Sequence, residues 1–132
     1  MIHNVVPIDI HMASRDRLDD FRRSRSSHPM LWTGDVWKII GVLQTYRPDL
    51  TIDILDASPT GLALVRGIDP MSTTLSENFP RILQEVAAWP SEDAAFAAYR
   101  AGLQMRSTAE LPALLAVPPR TGALLSQGST HK

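Results

Sequence analysis

The sequence of 132 residues contains no cysteine, which excludes disulfide bonds, thiolate metal sites and cysteine nucleophiles. Aromatic residues make up only 6%, and the charges almost cancel, with 13 Lys and Arg against 14 Asp and Glu. A chain without a strong net field gives no reason to expect nucleic acid or an acidic membrane as a partner. No run approaches the roughly 20 apolar residues that a membrane-spanning helix needs. We therefore expect a cytoplasmic protein that binds neither nucleic acid nor a membrane.

The length and the 44% of hydrophobic residues are sufficient for one domain with a modest core. We expect this single α/β domain to occupy residues 1–118. Residues 119–132 contain repeated Gly, Ser and Thr and no regular apolar period, so we expect them to form a disordered tail.

Three short segments have the composition of β-strands. The segment IHNVV at residues 2–6 is rich in β-branched residues and is followed by Pro7, which lacks a backbone donor. The segment TIDILD at 51–56 alternates polar with apolar residues, and LALVR at 62–66 follows the turn sequence ASPTG. The sequence therefore predicts one separate strand and one antiparallel hairpin.

The segments around these strands predict helices with polar starts and proline stops. In the helix before the hairpin, Thr33 is the expected cap, Asp35 favours the first turn, and Pro48 ends the helix. Residues 13–27 alternate Arg with Asp and indicate a solvated helix or a mobile loop. The other predicted helices begin near Ser76 or Asn78, at Ser91 and at Thr108, and end near Ala88, Met105 and Ala116.

Four segments together resemble the last third of the class I, Rossmann-like S-adenosylmethionine-dependent methyltransferases. They are IHNVVP, WTGDVWKIIGVLQTYRPDLTIDILDASPTGLALV, FPRILQEVAAW and AAFAAYR, and the resemblance spans roughly residues 2–110. It implies that IHNVVP is the fifth parallel strand and that the hairpin closes the sheet. The expected fold is thus α/β, with a partial Rossmann-like sheet of one parallel-type strand plus an antiparallel hairpin, packed helices and a C-terminal helical segment.

The glycine-rich loop that holds the cofactor in this family is missing from the chain. None of the seven glycines belongs to a G-x-G pattern between a strand and a helix. The resemblance implies S-adenosylmethionine as the cofactor, yet we predict no cofactor-binding residue in this chain and no activity by the chain alone. We expect a complementary chain or a second copy to supply the missing half; the other interpretation is a truncated reading frame.

Four residues are predicted to bind a small-molecule acceptor: His3, Asn4, Trp32 and Asp35. His3 and Asn4 end the predicted first strand, where open α/β sheets place their ligand crevice. Trp32 either packs onto the first turn of the next helix or lines this crevice. Asp35 is either a charge at the helix start or a base. The sequence names no catalytic residue and no metal ligand.

A different class of function is an interaction module without catalysis. If the strand at 2–6 lacks its usual neighbour, its edge must be covered by residues 8–30, by another copy or by a separate chain. Such a module would dimerise or bind a partner through this edge and through the Leu- and Ala-rich helices between Ser91 and Ala116.

Overall fold

The computed structural model describes residues 1–16, 19–89 and 92–118. They form an α/β domain with a four-stranded mixed sheet and six α-helices, so the α/β part of the predicted fold is confirmed. The predicted disordered tail at 119–132 and the predicted helix start at Ser91 lie outside the described residues. Within those residues, no helix combines the length and apolar character needed to cross a membrane.

The sheet has the order β1-β3-β2-β4. Strand β3 is antiparallel to both of its neighbours, and β4 runs parallel to β2. The hairpin of β2 and β3 is as predicted, whereas β1 is shorter than predicted and β4 was not predicted. The strands are β1 (Ile2–His3), β2 (Thr51–Leu55), β3 (Leu62–Arg66) and β4 (Met105–Arg106).

Strand β1 ends early because Asn4 adopts a left-handed backbone conformation, with φ of 63°. Asparagine is one of the few residues other than glycine that tolerates this conformation. Its side-chain oxygen accepts a hydrogen bond of 2.7 Å from the Thr60 hydroxyl, which fixes the turn against the hairpin loop. The chain therefore leaves the strand direction two residues after it has entered the sheet.

The helices follow the predicted order, but the helix before the hairpin starts later than predicted, and the helix predicted to end near Met105 ends at Gly102. Helix α2 begins at Lys38 and Thr33 does not cap it, because the Thr33 backbone amide and hydroxyl donate to the Met12 carbonyl and hold Thr33 against the segment after β1. The end before Pro48 and the helix beginning after Asn78 are as predicted. The helices are α1 (Asp20–Arg25), α2 (Lys38–Tyr46), α3 (Thr74–Glu77), α4 (Phe79–Ala88), α5 (Asp93–Gly102) and α6 (Leu111–Ala116), with a 3-10 turn at Thr108–Glu110.

Helices cover the sheet on both faces. On one face, Ile40 of α2 packs with Ile54 and Ala63 of the hairpin. On the other face, Leu114 of α6 packs with Leu64 and its hairpin neighbours. Since side chains along a strand point alternately to the two faces, the adjacent residues Ala63 and Leu64 belong to different core clusters.

A third cluster joins α5 to the segment that follows β1. Ile10, Ala13, Trp37 and Phe96 are buried there together, with Tyr99 packed beside them. The Trp37 ring lies 5.6 Å from the Phe96 ring in an edge-to-face arrangement and 4.7 Å from the Tyr99 ring. Trp37 is thus a core residue, and it holds α5 against the N-terminal part of the chain.

Helix α5 also covers the chain edge that continues β1. The Val6 amide donates to the Thr60 carbonyl on the β3 side. Because a trans peptide directs its N–H and its C=O to opposite sides, the Val5 carbonyl points away from β3, where it accepts a hydrogen bond from Tyr99. The Arg100 guanidinium donates to the Ile8 carbonyl in the same way. At these two carbonyls the cover therefore comes from α5, which is none of the three expected alternatives.

Candidate functional site

A cavity of about 310 Å³ lies between the segment after β1 and the start of α2. Its apolar lining comes from Ile10, Ala13 and Trp37, the residues that α5 supports from behind. Ser14 and six charged residues complete the lining, and the charged residues are three of each sign: Arg15, Arg22 and Lys38 with Asp16, Asp19 and Asp35. Apolar packing surface and charged groups thus occur together, as is typical of sites for small polar molecules.

Asp9 folds the segment that forms one wall of this cavity. One of its carboxylate oxygens accepts hydrogen bonds from the amides of His11 and Met12, both at 3.0 Å. The other oxygen accepts from the hydroxyls of Ser26 and Ser27 and from the Ser27 amide, at 2.7 to 2.9 Å. Burial alone would raise the pKa of Asp9, but these hydrogen bonds outweigh it and hold the pKa below its ordinary value.

Sequence reasoning did not identify Asp9 as part of the site. The available signal was its position two residues after Pro7, where an Asp side chain can accept from amides two or three positions further on. Its second oxygen binds residues 17 and 18 positions away, and no local pattern predicts that contact.

Trp32 orders the same wall from the other side. Its indole N–H donates to the Ser14 carbonyl at 2.7 Å, and Ser14 lines the cavity. The ring lies against Gly34, where a Cβ atom would come within 3.2 Å of it and where φ is +62°. Trp32 is 41% exposed and borders the cavity rather than lining it. Its indole bond goes to the segment after β1, not to the first turn of α2, which begins six residues later.

The charged residues of the cavity are mostly paired with each other. The Asp35 carboxylate lies 3.2 Å from the Arg15 guanidinium, and Asp19 lies 3.4 Å from Arg22. Lys38 is different, since its ammonium lies 5.9 Å from the centre of the Trp37 ring. Within the described ranges 1–16, 19–89 and 92–118, no carboxylate forms an ion pair with Lys38.

The four predicted acceptor-binding residues do not all meet at this cavity. Asp35 lines it, and Trp32 borders it through Ser14. His3 is exposed in β1, and the Asn4 side chain is bonded to the hairpin loop; neither lines the cavity. The structure therefore brings Trp32 and Asp35 together at one site and leaves His3 and Asn4 at the end of β1.

A larger cavity of about 860 Å³ lies at the other end of the hairpin, where β2 begins and β3 ends. Its charged residues bind one another and the fold. The Asp53 carboxylate accepts from Arg66 at 2.7 Å and from Arg106 at 3.2 Å, and Arg66 also donates to the Leu114 carbonyl near the end of α6. Because these groups hold the hairpin to α6, we assign this cavity a structural role.

In the family that the sequence resembles, S-adenosylmethionine is held at a glycine turn that the ligand can approach closely. The turns at Gly34 and Gly61 both have positive φ, but the Trp32 ring and the Val6 side chain occupy the space beside them. In the described part of the chain, no cluster of three or more metal-binding side chains exists.

Comparison of the chain with protein-family models, with curated proteins and with solved structures gives no match.

Proposed function

We propose that this chain is the substrate-side part of a methyltransferase-like fold. It holds a small acceptor molecule in the cavity beside Asp35, and it transfers no methyl group by itself because S-adenosylmethionine must be supplied by a complementary chain or by another copy. The observation that carries the proposal is the position of the cavity. It opens at Asp35, Trp37 and Lys38, all three within the WTGDVWK segment on which the resemblance depends.

The sheet supports this proposal. The hairpin packs directly against β1 through β3, as the resemblance requires of an antiparallel pair that closes the sheet. The cavity is built by the segment that follows β1, and ligands of open α/β sheets bind beyond the carboxyl ends of such strands.

The residues of the cavity have distinct roles in this proposal. Ile10, Ala13 and Trp37 provide an apolar surface for the body of the acceptor. Asp35, whose carboxylate lies 3.2 Å from the Arg15 guanidinium, accepts a hydrogen bond from an O–H or N–H group of the acceptor. Methyl transfer depends chiefly on positioning the two reactants, so a chain that positions only the acceptor is inactive.

Two measurements on the whole purified chain test the proposal. The first is calorimetric titration with S-adenosylhomocysteine, with the mass in solution determined by light scattering on the same sample. We expect no heat of binding, and micromolar binding would overturn the claim that the cofactor half is missing.

The second measurement is an NMR screen of small polar molecules with the ¹⁵N-labelled chain. We expect hits to shift the amides of Asp35 and Trp37. The substitution Asp35→Asn should weaken these hits, whereas Asp20→Asn should not, because the Asp20 carboxylate is 93% exposed and does not line the cavity. A screen in which every hit maps elsewhere would reject this acceptor site.

A second candidate is the interaction module, and one observation favours it. Phe79 and Leu83 lie one turn apart on α4 and are 56% and 50% exposed, so they form a small apolar face. Association through the edge of the strand at residues 2–6 is restricted, since Tyr99 already binds the Val5 carbonyl. Light scattering on the chain and on a variant with Phe79→Ser and Leu83→Ser distinguishes the candidates: a dimeric chain and a monomeric variant would favour the module.

A further inference from the structure

We infer that the acceptor cavity selects a small organic carboxylate, and that Lys38 and Trp37 recognise its anionic group. This inference rests on the proposed function, because it names the chemical class of the acceptor that the same cavity would hold.

The first step is the balance of charge around the cavity. Arg15 and Arg22 are each neutralised by an aspartate of the same lining. Lys38 lines the cavity but pairs with no carboxylate in the described ranges, and its nearest recorded partner is the face of the Trp37 ring. Lys38 is therefore the cation of this lining that has no ion-pair partner among the described residues, and it lies at the start of α2.

The second step concerns the indole N–H of Trp37. Trp37 is only 6% exposed, and its Nε1 atom is buried with no hydrogen-bond acceptor in the part of the chain that the structure describes. Buried donors are nearly always satisfied in folded proteins, so an unsatisfied donor in a residue that lines a cavity indicates a partner from outside the chain. A carboxylate offers two acceptor oxygens, one for this donor and one for the Lys38 ammonium.

The third step is size and polarity. A volume of about 310 Å³ lies at the lower end of the range for ligand pockets, which suits a molecule of one ring or a short chain. Ile10 and Ala13 offer such a body an apolar surface next to the Trp37 ring. A carboxylate on a small apolar body therefore matches the cavity better than a polyanion, whose further charges would face Asp16, Asp19 and Asp35.

The test uses benzoate as the probe and benzamide as its uncharged counterpart of the same shape. The ¹⁵N-labelled chain has three tryptophans, so its spectrum contains three indole N–H signals. The variants Trp32→Phe and Trp89→Phe assign two of them and leave Trp37 by elimination. We expect benzoate to shift the Trp37 signal in a saturable way, and benzamide to bind at least tenfold more weakly.

Two variants separate recognition by Lys38 from non-specific attraction. Lys38→Gln should weaken benzoate binding at least tenfold and leave benzamide binding unchanged. Arg81→Gln is the matched control, because it removes a cation whose side chain is 73% exposed and lies on α4, and it should change neither affinity.

Equal binding of the two probes, or an equal loss in both variants, would show that the cavity binds ligands without selecting a carboxylate. That result refutes the inference and leaves the proposed function standing. A Trp37 signal that neither probe moves also refutes the inference, while the NMR screen of small polar molecules that reads the Asp35 amide still decides the proposed function.

Discussion

The Tyr99 hydroxyl donates a hydrogen bond of 2.7 Å to the Val5 carbonyl, across 94 positions of the sequence. This bond satisfies a backbone group that the sheet leaves open, since Val5 is completely buried and its carbonyl points away from β3. Burial raises the pKa of Tyr99 to about 12, so the hydroxyl remains a donor at all ordinary pH values. Helix α5 thus binds where a further strand would pair, and a partner that adds a strand at Val5 must displace it.

Tyr99→Phe should lower the free energy of unfolding by about 1 to 3 kcal/mol, because it leaves the buried Val5 carbonyl without a donor. Urea denaturation followed by circular dichroism measures this loss as a lower midpoint at an unchanged slope. Tyr46→Phe removes a hydroxyl that donates to the Glu85 carboxylate, whose side chain is 37% exposed. This substitution should lower the free energy of unfolding by less. If the two variants were equally stable, the bond from Tyr99 to Val5 would contribute no more to stability than the bond from Tyr46 to Glu85.

Asp9→Asn should destabilise the wall of the acceptor cavity by about 1 kcal/mol at pH 7, because an amide accepts fewer of the five hydrogen bonds than a carboxylate does. The folded-state pKa of Asp9 is lowered, so its stabilisation is present above the unfolded value of about 3.9 and is lost as pH falls through the folded value. The difference between the wild-type chain and the variant should therefore shrink below about pH 4. Thermal unfolding between pH 2 and pH 7 measures it, and a difference independent of pH would contradict the assignment.

The fold was predictable where the determinants are local. The hairpin of β2 and β3 has a period of two and a turn sequence between its strands, and α4 begins after Asn78 with Pro80 in its first turn. Strand β4 has no such pattern: Met105 and Arg106 are extended because they pair with Ile54 and Leu55, about 50 residues away. The start of α2 was misplaced for the same reason, since Met12 determines how Thr33 is used.

The candidate site was predictable only in part. The sequence identifies Trp32 and Asp35 through the segment that carries the resemblance, and both lie at the cavity. Their partners Ser14 and Arg15 come from a segment without a regular period, so no pattern indicated them. The prediction of His3 depended on a longer first strand, and the left-handed turn at Asn4 ends that strand early.

Gly34→Ala should lower the free energy of unfolding by about 1 to 2 kcal/mol, the cost of a left-handed alanine, because Gly34 has φ of +62° and its new Cβ would press on the Trp32 ring at 3.2 Å. The displaced ring should also weaken the bond from its indole N–H to Ser14 and shift the Trp32 indole signal in the NMR spectrum. Gly102→Ala is the matched control, since no atom lies within 4 Å of the new Cβ, and it should be neutral or slightly stabilising. A neutral result for both variants would mean that Gly34 does not constrain this turn.

Arg66→Leu should be the most destabilising of these substitutions, by about 3 to 5 kcal/mol, because it leaves the Asp53 carboxylate, whose side chain is 11% exposed, without its closest cation. It also removes the donor to the Leu114 carbonyl at the end of α6. Arg106→Gln removes the weaker ion pair of the same carboxylate, in which the Arg106 side chain is 45% exposed, and should cost about 1 kcal/mol or less. Chemical denaturation of both variants tests the structural role of the larger cavity. If Arg66→Leu proved as stable as Arg106→Gln, the arginines there would be free for a ligand, and the larger cavity would become the stronger candidate for an anion site.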